Sequence, residues 1–221
     1  MNRRTTLWSM AGVFAALWLL LAIDPVERDT WLLENVLIFL AIAILLTTRH
    51  ALPLSTASYA MVFGFLCLHA IGAHYTYSLV PYDTLLVGLG LPSLDTTLGL
   101  QRNHYDRLVH FAYGLLLALP LRELLMRFAA VRGFWSYFLP LDIVMSSSLC
   151  YELIEWGAAA MFGGDMGAAF LGTQGDEWDA HQDMFLASVG GLLAMLVVWR
   201  INRFRRRDMT LEWLAISDAR Q

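Results

Sequence analysis

Residues 179–199 read DAHQDMFLASVGGLLAMLVVW, and this stretch decides the fold. At about 1.5 Å per residue it is long enough, as a helix, to cross the hydrocarbon core of a bilayer. Beyond Asp183 it carries no charge until Arg200. Its two acids, Asp179 and Asp183, stand at one end, with Asp183 roughly 6 Å deeper. With Asp176 they follow i, i+3, i+7, one helix face if the helix extends that far. An ionisable group inside a bilayer costs roughly 3 kcal/mol or more unless it is paired, hydrated or ion-bound. The stretch therefore reads as a membrane span that begins in a functional site.

Five more spans precede it. The chain is expected to be all-α, a polytopic membrane protein with helices over about 7–23, 31–47, 54–75, 105–125, 134–161 and 179–199. An Arg-rich tail follows over 200–221. Among its 221 residues 58% are hydrophobic, and mean hydropathy is +0.55. That is too apolar for a soluble domain, and no long polar segment forms a second one, so one integral membrane domain is expected. The run Leu7–Ile23 is followed by Asp24-Pro25, not by a small-residue cleavage site, and reads as a retained span. Cys67 and Cys150 lie in apolar runs and read as free thiols.

Orientation follows from the basic residues, all 15 of which are Arg. Arg3, Arg4, Arg49, Arg122, Arg127, Arg132 and the group from Arg200 to Arg207 occupy alternate connections. By the positive-inside rule that side is the cytoplasm, and both termini are expected there. The tail Arg residues read as a topology anchor. The bilayer is the expected partner and no nucleic acid is expected; the oligomeric state stays open.

In that topology one polar layer falls in the outer leaflet or at its rim. It comprises His69, His74, Asp106, His110, Glu152, Glu155, Asp176, Asp179 and Asp183, and Glu34 lies near it. Asp106 and His110 are i,i+4, and Glu152 and Glu155 are i,i+3, so each pair shares a helix face. Carboxylates this close repel one another and need protons or cations to coexist; Arg102 and Arg107 look too few. A divalent metal is the economical solution, since helix bundles build such sites from inward-facing carboxylates and His. The expected ligands are His69, His74, His110, Glu152, Glu155 and Asp183. Mixed His and carboxylate donors favour Zn, Mn or Fe. Asp106, Asp176 and Asp179 are the expected catalytic acids or bases, although Asp106 and Asp179 also stand where helix N-caps are needed.

The loop Phe170-Leu-Gly-Thr-Gln-Gly-Asp-Glu-Trp-Asp179 has two glycines that allow tight turns. It reads as a re-entrant or lid loop, tolerated at membrane depth where it lines a cavity. Thr173 and Gln174, with Arg102 and Arg107, are its expected substrate contacts. As a phosphate loop it is weak, having no Lys and no Walker spacing.

Four ordered motifs carry a family resemblance. They are His69-x-x-x-x-His74-Tyr75-Thr76-Tyr77, then Arg102-Asn103-x-x-Asp106-Arg107-x-x-His110-Phe111. Tyr151-Glu152-x-x-Glu155-Trp156 follows, then Leu171-Gly172-Thr173-Gln174-Gly175-Asp176-x-Trp178-Asp179-x-x-x-Asp183-Met184. In these the chain resembles the bacterial inner-membrane family typified by YjdF, which implies a multi-pass membrane protein and no particular activity. Asp106-Arg107-x-x-His110-Phe111 is also similar to the Asp-Lys-x-x-His-Phe of VanZ-like membrane proteins. Ala187 stands where those proteins have Asn.

Three functions remain open at this point. One is a metal-dependent hydrolase or transferase acting on a lipid or lipid-linked envelope substrate. In it a metal would activate water or polarise a phosphoryl or carbonyl oxygen, and the inner half of the bundle would be closed. The second is a cation or proton transporter, which needs a polar route through the other leaflet. The third is a non-catalytic assembly or resistance factor held together by the polar layer.

Overall fold

The computed structural model describes residues 2–162 and 173–218. Six long helices are α1 (Arg3–Leu21), α2 (Arg28–Thr48), α3 (Thr56–His74), α6 (Tyr105–Phe128), α7 (Trp135–Phe162) and α8 (Asp179–Arg205). All six are long and apolar enough to cross a membrane. Two short helices, α4 (Tyr82–Gly88) and α5 (Leu94–Leu98), lie between α3 and α6, and α9 (Met209–Asp218) follows α8. No strand occurs among the described residues.

The bundle is built around α6 and α8. Their backbones touch because glycines face each other across the contact. A Cβ added at Gly114 would sit 1.9 Å from the Ala187 carbonyl oxygen, and one at Gly190 would sit 2.2 Å from that of Phe111. Close backbone approach at small residues is how membrane helices gain packing without a hydrophobic driving force between them. Ala118, Leu119, Val144, Ala194, Met195 and Val198 fill the space where α7 joins the pair. On the other side α3 packs on α6, and α1 and α2 pack on α3 through Phe14, Ile38, Leu66 and Ala70. The Trp18 indole N–H donates to Asn35 at 2.5 Å, tying α1 to α2.

The outside carries the large apolar side chains. Leu20, Phe39, Leu46, Leu153, Leu192 and Leu196 are all exposed, an arrangement unsuited to water and suited to lipid.

Both chain ends lie at the same end of the bundle. Arg3 donates to the Leu54 carbonyl at 2.8 Å and stacks over Trp213 of α9, and the Trp213 indole donates to the Pro53 carbonyl. An even number of passes requires this. The tail expected over 200–221 is corrected here. Helix α8 runs on to Arg205, the chain turns through Arg206 at φ 54°, and α9 folds back under α6. Buried Arg122 holds it there, donating to both Asp208 oxygens at 3.0 and 2.5 Å and to Thr210 at 2.6 Å. Arg122, expected as a topology marker, is thus also the centre of a packed polar network. The segment between α3 and α6, which contains Pro81 and Pro92, is ordered by side-chain bonds. The Asp83 carboxylate accepts from the backbone of Leu94 and Asp95, and Tyr82 donates to Asp95, joining α4 to α5.

Candidate functional site

The opposite end of the bundle gathers most of the polar layer. Asp106 and His110 stand one turn apart near the start of α6, and Asp183 stands one turn into α8. The α6–α8 glycine contact brings these two helix starts side by side. One ligand atom each from Asp106, His110 and Asp183 lies within 4.8 Å of the others, an arrangement able to hold a metal ion. From α7 the Glu152 carboxylate approaches to 3.6 Å from His110 Nε2. An oxygen of Glu152 and one of Asp183 are buried without a hydrogen-bond partner, although buried polar atoms are almost always partnered. Glu155, expected as a ligand, is within electrostatic range of Glu152, Asp106 and Glu34 but is not a member of the three-residue group.

Asp176 and Asp179, expected as catalytic, are instead engaged by Arg102 and Arg107. Arg102 lies 2.6 Å from Asp179, and Arg107 lies 2.5 Å from Asp176. These two arginines therefore neutralise the rim and leave the deeper acids unpaired. The Trp178 backbone N–H, with Arg107 and Arg102, holds the Asp176 carboxyl below the usual carboxylate range. Burial and the two arginines push His104 down.

Thr173 and Gln174, expected substrate contacts, close the rim on itself. The Thr173 carbonyl accepts from Arg102 at 2.9 Å. The Gln174 amide makes two bonds of 3.0 Å to the Asn103 backbone, one given and one received. The rest of the expected lid, through Phe170, Leu171 and Gly172, lies outside the described residues.

Neither histidine of α3 joins the metal-ready group. His74 Nδ1 donates to the Leu21 carbonyl at 2.7 Å, and its own carbonyl accepts from Val26, so it fastens the α1–α2 turn. His69 has both ring nitrogens occupied. Nε2 donates to the Glu34 carbonyl at 3.1 Å, and Nδ1 accepts from the Tyr77 hydroxyl at 2.5 Å. The tautomer follows because a carbonyl can only accept. Glu34, buried in α2, places a carboxylate oxygen 3.8 Å from the same Nε2 and accepts from the Tyr151 hydroxyl at 3.2 Å.

The Tyr77 position is strained. Thr76 and Tyr77 adopt φ values of 52° and 55°, a region that costs a non-glycine residue about 1–2 kcal/mol. The ring occupies the notch left by Gly72, where an added Cβ would lie 2.5 Å from a ring carbon. Only the motif Tyr75-Thr76-Tyr77 hinted at this residue, and nothing in its spacing pointed to His69.

These groups face a cavity of about 290 Å³, with His69, Tyr77, Asp106, His110 and Tyr151 on its polar wall. Leu37 of α2 and Cys150 and Ile154 of α7 line its other side, and all three are exposed on the lipid-facing surface. The cavity therefore opens sideways between α2 and α7.

Residues 6–204 match a family described as "Predicted membrane protein (DUF2238)". The chain belongs to that family. It is 40% identical over 178 residues, 80% of each chain, to "Inner membrane protein YjdF" of Escherichia coli (strain K12). No solved structure matches. This DUF2238 chain is a multi-pass protein of the inner membrane, and its matched region contains the metal-ready group, the arginine rim and the cavity.

Proposed function

We propose that this DUF2238 protein is a metal-dependent membrane enzyme acting on a lipid or lipid-linked envelope substrate from the outer leaflet. The carrying observation is that the Asp106–His110–Asp183 group and the sideways cavity lie together. A divalent ion such as Zn, Mn or Fe would be held by those three residues, with Glu152 at its margin. Such an ion supplies Lewis-acid polarisation of a substrate oxygen or activation of water. The unpartnered oxygens of Asp183 and Glu152 are what such an ion would satisfy. The apolar wall from Leu37 to Ile154 suits an acyl or prenyl chain entering from the bilayer.

The rest of the bundle favours this reading over a transport path. Below the site, α6 and α8 close on each other at Gly114 and Gly190, and the next layers are apolar up to the Arg122 network. Six passes with their site-side connections outside would place the cavity in the outer leaflet, as the positive-inside reading requires.

Metal content of detergent-purified protein, measured by mass spectrometry, tests the proposal. About one equivalent of a transition metal is expected in the wild type. An Asp183→Asn variant that still elutes as a monodisperse peak should lose it. No metal in the wild type, before or after incubation with Zn, Mn and Fe, would refute the reading.

A further inference from the structure

The cavity has a second reactive wall, independent of any metal. Tyr77, His69 and Glu34 form a hydroxyl–imidazole–carboxylate series. Tyr77 Oη lies 2.5 Å from His69 Nδ1, and the other ring nitrogen lies 3.1 Å from the Glu34 carbonyl and 3.8 Å from its carboxylate. This is the order found where a hydroxyl is activated by an imidazole that a third group orients. All three residues are at least nine-tenths buried. Tyr77 and His69 line the cavity.

Two backbone facts indicate that the arrangement is built rather than incidental. Thr76 and Tyr77 both take left-handed conformations, and strain of this kind persists where surrounding structure imposes it. Gly72 leaves the room in which the Tyr77 ring lies beside His69, since an added Cβ there would overlap the ring. His69 is also unavailable as a metal ligand while both its nitrogens are bonded.

We infer that Tyr77–His69–Glu34 is a proton-accepting relay that makes the Tyr77 oxygen a base-assisted centre facing the lipid-side cavity. A hydroxyl or water held there gives its proton to Tyr77 Oη while the Tyr77 proton passes to His69 Nδ1. The imidazolium is then held by the Glu34 backbone carbonyl, which accepts from Nε2 at 3.1 Å, with the Glu34 side chain 3.8 Å away. Burial, then the charges of Glu34, Asp106 and Glu155, holds the Tyr77 phenol well above its ordinary value. A free phenolate is thereby disfavoured, so the two transfers occur together. The ligand class is a hydroxyl-bearing lipid, or water attacking a lipid.

An alkyl sulfonyl fluoride dissolved in the membrane reads this property without knowledge of the substrate. Tyr77 Oη bonds to sulfur, the S–F bond breaks, fluoride leaves, and the phenol proton goes to His69. Tyr113 lines the same cavity, but its hydroxyl meets Ser147 at 2.5 Å, not an imidazole, so it is an internal control.

Peptide mapping of the labelled wild-type protein is expected to find the tag on Tyr77 about a hundredfold faster than on Tyr113, in line with base assistance. His69→Gln should bring the two rates together while the protein remains monodisperse, and Glu34→Gln should slow Tyr77 alone. Equal labelling of Tyr77 and Tyr113 in the wild type would overturn the relay, and that result needs no variant to fold. Running the assay on chelator-treated and metal-loaded protein separates this inference from the metal reading. A relay without a metal site prefers Tyr77 over Tyr113 in both, whereas a metal site without a relay shows no such preference in either.

Discussion

The two ends of the bundle both bury charge, and they treat it in opposite ways. At one end Arg122 is fully buried and meets Asp208, Thr210 and Ser136 through its terminal nitrogens, with its guanidinium 4.4 Å from the Tyr137 ring. One cation faces one anion there. At the other end Asp106, Asp183 and Glu152 surround His110, the two arginines are spent on Asp176 and Asp179, and acid oxygens are left without partners. Buried polar groups that serve only the fold are partnered. At the Arg122 end the buried charge is matched by its counter-ion, although Arg122 Nε itself finds no partner; at the His110 end the acids have no matching cation, which is what the proposed ion would supply.

Removing one charge at each end should expose the contrast most strongly. Arg122→Met leaves Asp208 without its counter-ion and takes a donor from Ser136 and Thr210. Breaking such a pair from one side costs about 3–5 kcal/mol, so the variant should accumulate poorly or melt far below the wild type in detergent. Asp183→Asn relieves a crowd of acids, since Asp106, Asp179 and Glu152 all lie within electrostatic range of Asp183. Metal-free Asp183→Asn should melt at or above the metal-free wild type. If Asp183→Asn is as damaging as Arg122→Met, both ends are structural and the contrast fails.

The second effect comes from the ligand itself. An ion binding only the folded state at one hundred times its Kd stabilises by about 2.7 kcal/mol. Titrating Zn or Mn into chelator-treated protein should therefore raise the melting temperature of the wild type. Glu152→Gln should reduce the rise and Asp183→Asn should abolish it, while variants of the α9 network such as Thr210→Val should keep it at a lower baseline. A rise of equal size in all of them would mean that the metal acts elsewhere.

How far the chain could be read in advance follows the same division. Hydropathy alone locates the six helices, because a span needs only a run of apolar residues. Asp106, His110 and Asp183 are legible as members of one polar layer because helical spacing and depth are both set by the chain's own period, although Asp106 is expected as a catalytic acid and is found among the groups able to hold a metal. His74 sits at the same depth, but only the fold shows that the Leu21 carbonyl is its partner. Tyr77 is illegible because its role depends on a left-handed turn and on the room at Gly72. Charge counting places Arg122 in a connection but cannot find a partner 86 residues away. Local periodicity reveals what lies on one helix; contacts between helices decide what each residue is for.

The smallest expected effect concerns acid. Burial tends to raise the Asp208 carboxyl, but its bonds to Arg122 and to the backbone of Leu211 and Thr210 outweigh that and hold it below the usual carboxylate range. A carboxyl depressed in the folded state contributes stability that is present above its unfolded value of about 3.9 and is lost as pH falls through the folded one. Docking of α9 should therefore be insensitive to pH above about 5 and should weaken below about 4. The group is partly exposed, so the loss should be modest and reduced by salt. Tryptophan emission from Trp213, which packs against Arg3 and Pro53, reports that docking directly. The expected trace is flat to about pH 5 and then changes, with Asp208→Asn already in the altered state at neutral pH. A trace for Asp208→Asn that overlays the wild type throughout would show that the pair does not hold α9. The contrast between the two ends would then rest on the neutral partners of Arg122 alone.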